Sequence, residues 1–91
     1  MTQSLTESEI ANKLFALLDE VKRKLPGDDA AHIQEFIEVG EYELAHETLC
    51  SQLDEYNIRI SKDFYESIYL LGKLMEIDDA LWGYMHELIQ E

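Results

Sequence analysis

Wherever this chain has a readable period, its apolar residues return every three or four positions, the spacing of one face of an α-helix. The clearest run is Ile10, Leu14, Leu17, Leu18, Val21 and Leu25. Thr6 and Glu9 stand at capping-box spacing before it, so that each side chain can satisfy a free amide of the first turn. Lys22, Arg23 and Lys24 lie where the helix dipole favours cations, and Pro26-Gly27 ends the run. A helix is therefore predicted over about residues 7–24.

The same logic gives four more helices. Asp28 or Asp29 is expected to cap a short helix over about residues 30–39, with Ile33, Phe36 and Ile37 inward and Gly40 closing it in a conformation with φ > 0. A third helix follows over about residues 42–56, its inner stripe formed by Ala45, Leu49, Leu53 and Tyr56 and widened by Leu44. Ile58 and Ile60 have the alternation of a short strand, for which no partner strand is evident. Ser61 is expected to cap a fourth helix running from about Phe64 to Met75. That helix is apolar nearly all round, which predicts a central, buried position. Gly72 inside it costs roughly 1 kcal/mol against alanine and suggests the close approach of another element. Asp78 or Asp79 is expected to cap a last helix over about residues 80–90, with Leu81, Trp82, Met85, Leu88 and Ile89 inward.

The expected fold is all-α: a compact single-domain bundle of about five short helices with a central αα-hairpin. Ninety-one residues are too few for two independent cores. With 46 % of residues hydrophobic, disorder is not expected. Cys50 is the only cysteine, so no intramolecular disulfide can form and a reducing compartment fits. The N-terminus has neither the basic nor the apolar region of a secretory signal, and no apolar run approaches the ~20 residues that cross a bilayer. A cytoplasmic protein is expected.

Charge is the second constraint. The net charge is −13, and it is concentrated. Between Lys24 and Arg59 lie 34 residues without lysine or arginine, carrying Asp28, Asp29, Glu35, Glu38, Glu41, Glu43, Glu47, Asp54 and Glu55. Such a balance argues against binding nucleic acid or anionic lipid, because phosphate contacts rely on lysine and arginine. It weakens a compact fold by self-repulsion and attracts a cationic partner. Tyrosines are favoured as interface anchors, and Tyr42 lies beside the Gly40 turn between two glutamates. Charge and helical phase together select Glu35, Glu38, Glu41, Tyr42, Glu43, Glu47 and Asp54 as candidate partner-binding residues. The alternative is a charge that serves only solubility.

Other chemistry finds little support in the residues. Glu43, Glu47, Cys50 and Asp54 are spaced as one outward line on the third helix, and His46 and Cys50 are one turn apart, but no second cysteine or CxxC completes a metal site. Cys50 is expected to be partly covered, and His32, His46 and His86 to be surface or boundary residues. No Gly-rich phosphate loop, nucleophile elbow or HExxH motif is present, so no enzyme, metal or cofactor is expected. The turn from Phe36 to Ala45 is similar to that of a tetratricopeptide unit, yet such arrays need about three units of 34 residues. An αα-hairpin is the simpler reading.

Residues 35–78, EFIEVGEYELAHETLCSQLDEYNIRISKDFYESIYLLGKLMEID, resemble the immunity proteins of bacterial polymorphic-toxin and contact-dependent inhibition systems, particularly the MafI-type family. The similar elements are the EFIExGEYxLAxExL turn, the LxEYxIxIS connection and the YxxIxxLGKxMxI helix. The resemblance implies a small helical cytoplasmic protein that binds the C-terminal domain of a cognate toxin; a monomer is expected over an oligomer, though the residues leave the oligomeric state open. Many such toxins are nucleases with basic substrate channels, for which an acidic surface competes. A rival expectation is an acidic adaptor or nucleic-acid mimic that binds a basic host protein. A third is a small scaffold whose charge is only solubilising.

Overall fold

The computed structural model of the chain describes residues 5–90. Residues 1–4, part of the N-terminal signal reading, and Glu91 lie outside them. The described residues are mainly helical: α1 (Glu7–Val21), α2 (Gly27–Glu38), α3 (Tyr42–Glu55) and α4 (Lys62–Leu74), with short 3-10 segments at Lys22–Lys24, Asp79–Leu81 and Gly83–Leu88. This is the all-α bundle with a central αα-hairpin that the periodicity predicts.

The start of α1 is a full capping box. The Glu9 amide donates to Thr6 Oγ1 at 3.1 Å, and the Thr6 amide to Glu9 Oε1 at 3.2 Å. Its apolar stripe is buried from Leu14 to Leu25, with Ile10 half-buried at the edge. The expected cap of α2 is corrected: Pro26 occupies the N-cap and α2 begins at Gly27. Proline's fixed φ leads directly into the helix, so Asp28 and Asp29 fall inside the first turn, where the dipole favours carboxylates. Asp29 instead accepts a hydrogen bond from the Tyr56 hydroxyl at 3.0 Å, joining the open end of the α2–α3 hairpin. Tyr56 therefore lies outside the inner stripe expected of it, and Leu44 is likewise exposed.

Three helices end in the same way. Gly40, Asn57 and Glu76 have φ of 81°, 51° and 56°, and the amide of the following residue reaches back to the carbonyl of Phe36, Leu53 or Gly72 at 2.8–2.9 Å. These contacts satisfy the carbonyls that a helix end leaves open. Ser61 caps α4, accepting from the Phe64 amide at 3.0 Å.

Three expectations about the second half are corrected. The central helix is α3, which buries Ala45, His46, Leu49, Cys50 and Leu53. It packs against α1 and α2 on one side and the C-terminal segment on another. Tyr69 and Leu70 of α4 are exposed, so that helix has a solvent face. The predicted fifth helix is two 3-10 segments, broken at Trp82 (φ −147°). Trp82 departs from helical geometry to seat its buried indole over Gly72, and its Nε1 donates to the Ile77 carbonyl at 3.2 Å. Beyond Leu88 the backbone extends and pairs with Ile60. The Ile60 amide donates to the Leu88 carbonyl at 3.0 Å, and the Gln90 amide to the Ile60 carbonyl at 2.8 Å. The Ile58–Ile60 run thus has a pairing partner after all.

Candidate interaction surface

The α2–α3 hairpin carries the whole base-free window. Among its nine carboxylates, Asp29 and Glu47 are half-buried and the other seven are exposed. The ion pairs among the described residues join Lys22 to Asp19 at 2.6 Å and Lys73 to Asp79 at 3.3 Å, both outside the window. The hydrogen bond from Lys22 holds the Asp19 carboxyl below its usual range. Arg59 donates to the Glu87 carbonyl at 3.1 Å. No lysine or arginine among the described residues therefore neutralises a carboxylate of the hairpin.

Glu41, Tyr42 and Glu43 are brought together at the Gly40 turn. Glu41 occupies the N-cap of α3 without a side-chain hydrogen bond, leaving its carboxylate open. Tyr42 is half-buried and packs against the core, although it stands at the tip of the turn between two exposed glutamates. Around these three residues, Glu7 and Ile10 of α1 and Met75 after α4 complete a depression of about 430 Å³. Its apolar floor is half-buried and its rim carries Glu7, Glu41 and Glu43.

Glu47 and Asp54 continue along α3 beside the C-terminal segment. Glu47 lines a groove with Thr48, Ser51, Leu81 and Tyr84. Burial, helped by the Asp54 carboxylate, pushes the Tyr84 hydroxyl up to about 12. Glu38 lies at the opposite edge, within reach of the Gln34 amide at 3.4 Å, where Gln34 borders a groove against α1. Glu35 is exposed on α2 and makes no side-chain hydrogen bond to a described residue. The seven candidates thus form one turn cluster with two diverging extensions.

The outward line through Cys50 is corrected. The C-terminal segment covers this flank of α3, and both His46 and Cys50 are fully buried. Burial, with a contribution from Glu47, raises the Cys50 thiol to about 12. His46 Nε2–H donates to the Ile68 carbonyl at 3.0 Å, while Nδ1 is buried without a hydrogen-bond partner among the described residues. Burial lowers its pKa, opposed in part by that hydrogen bond. At the open end of the hairpin, the bond to Asp29 raises the Tyr56 hydroxyl. Among the described residues no group of three or more histidine, cysteine or acidic side chains is arranged to hold a metal ion. No helix of the structure is long and apolar enough to cross a membrane.

Glu7, Ile10 and Met75 are the site residues that sequence reasoning misses. They come from two other elements and carry no local spacing that ties them to the turn. Comparison with known proteins finds no match among family models, curated proteins or solved structures.

Proposed function

We propose that this protein is an immunity protein of a bacterial toxin system, which binds a cationic toxin domain in the cytoplasm through its acidic α2–α3 hairpin and so neutralises it. The observation that carries this reading is the set of nine hairpin carboxylates, none of which is paired with a lysine or arginine among the described residues. Like charges held together on a small fold oppose its compactness, and a basic partner relieves that repulsion. The carboxylates stand on helices and on a tight turn, so their backbone is already ordered and binding has only the side chains left to order. A nuclease domain is the fitting target class. Its phosphate-binding surface is built from lysine and arginine, and an acidic protein surface competes for it. Charge complementarity then speeds the encounter, and desolvated contacts set the lifetime of the complex.

The test is co-expression of this chain with the C-terminal domain of the toxin encoded directly upstream. Growth is expected to be restored, and a one-to-one complex is expected to survive high salt. Continued toxicity with no complex recovered would end this reading. Binding to unrelated basic proteins that vanishes as salt rises would instead identify an acidic adaptor or nucleic-acid mimic.

A further inference from the structure

We infer that the depression at the Gly40 turn is a socket for one arginine side chain of a basic protein partner. This rests on the proposed function for the nature of the partner and adds where, and by which side chain, the partner is anchored. The floor is formed by Ile10, Tyr42 and Met75, all half-buried. The rim carries Glu7, Glu41 and Glu43, all exposed. None of these carboxylates has an ion pair or side-chain hydrogen bond to a described residue. Three elements that are far apart in the chain converge here: the first turn of α1, the α2–α3 turn and the end of α4.

This combination selects a cation with an apolar stem. A long basic side chain lays its methylenes on apolar surface while its head seeks anions. A planar guanidinium is favoured over an ammonium for two reasons. It stacks on an aromatic ring such as Tyr42, and it presents five donors in a fork that can serve more than one carboxylate. Lysine offers a compact, strongly hydrated charge that gains less from such a floor.

The test uses the whole chain, labelled with 15N, titrated with the blocked tripeptides acetyl-Gly-Arg-Gly-amide and acetyl-Gly-Lys-Gly-amide, and separately with calcium chloride. The arginine peptide is expected to shift the amides of Glu7, Gly40, Glu41, Tyr42 and Met75 at lower concentration than the lysine peptide. Those shifts are expected to be lost in the Glu41→Gln/Glu43→Gln variant, which is expected to keep the native far-ultraviolet spectrum. Shifts spread evenly over all exposed carboxylates, or equal responses to arginine, lysine and calcium, would overturn the socket. If co-expression protects cells as well with the double variant as with the native chain, the socket fails and the immunity reading stands. If no chain protects but the arginine shifts persist, the immunity reading alone fails.

Discussion

Trp82 fills the space that a side chain at position 72 would need: a β-carbon on Gly72 would lie 2.6 Å from the indole Nε1 and 2.7 Å from Cε2. The indole is not free to swing aside. Its Nε1 is bonded to the Ile77 carbonyl at 3.2 Å, and Tyr69 meets it edge-on with ring centroids 5.3 Å apart. Gly72→Ala is therefore predicted to destabilise the fold. The helix-propensity gain of about 1 kcal/mol is outweighed by overpacking of about 1–3 kcal/mol. Urea denaturation checks this, and a midpoint at or above that of the native chain would refute it.

A second backbone position is predicted to respond in the opposite sense. Glu76 holds φ of 56° at the end of α4, so that the Ile77 amide can reach the Gly72 carbonyl at 2.9 Å. The left-handed conformation costs a side-chain-bearing residue roughly 1–2 kcal/mol, and glycine much less. Part of that gain is offset by glycine's larger entropy in the unfolded chain. Glu76→Gly is expected to raise stability by about 0.5–1 kcal/mol, while Glu76→Ala keeps the strain and separates it from loss of the charge. Equal effects of the two substitutions would show that charge, and not backbone conformation, dominates.

What was legible in the sequence was local. The Thr6–Glu9 box, the Ser61 cap and the Gly40 turn each depend on residues within a few positions of one another, and each forms as its residue types dictate. The misreadings are long-range. Gly72 signals the close approach that Trp82 makes, but nothing near Trp82 foretells that its indole is the partner, nor does Ile60 carry a sign of its pairing with the chain beyond Leu88. Packing of α4 and the C-terminal segment on α3 buries His46 and Cys50 against their helical phase. The candidate site divides along the same line. Glu41, Tyr42 and Glu43 are adjacent and could be read together, whereas Glu7, Ile10 and Met75 join them only through packing.

Cys50 gives a direct probe of that packing. Its thiol is fully buried and raised to about 12, and only the thiolate reacts with alkylating or disulfide reagents. At pH 8 the native protein is expected to resist labelling by a thiol reagent that modifies it at once in urea. Labelling should therefore proceed only as fast as the C-terminal segment lifts from α3. Rapid modification without denaturant would mean that this flank is open in solution.

His46 makes the stability depend on mildly acidic pH. Its lowered pKa in the fold means that the unfolded chain takes up a proton first, at an ordinary value near 6.5. The stability it contributes is thus complete above about pH 6.5 and is lost as pH falls from there toward the depressed folded value. Protonation would place a charge at Nδ1, which is buried with no hydrogen-bond partner among the described residues. His46→Gln keeps a donor for the Ile68 carbonyl but cannot titrate. Across pH 7 to 5 the native chain is expected to lose more stability than this variant; parallel curves would remove His46 as the source.

The acidic turn can be tested by its effect on the speed of encounter. Glu41, Glu43 and Glu47 are all free of ion pairs with the described residues, and Glu41 and Glu43 are exposed, so replacing them by lysine should leave the fold intact. Charges near an interface act mainly on association, whereas buried contacts govern release. Against the toxin domain at low salt, the triple substitution is predicted to slow association about tenfold or more, with a smaller change in dissociation. The difference should shrink as ionic strength rises, because screening reaches about 10 Å at 0.1 M. Stopped-flow mixing across a salt series measures both rates. Unchanged association at low salt would take the hairpin turn out of the encounter surface and leave its carboxylates a role in solubility alone.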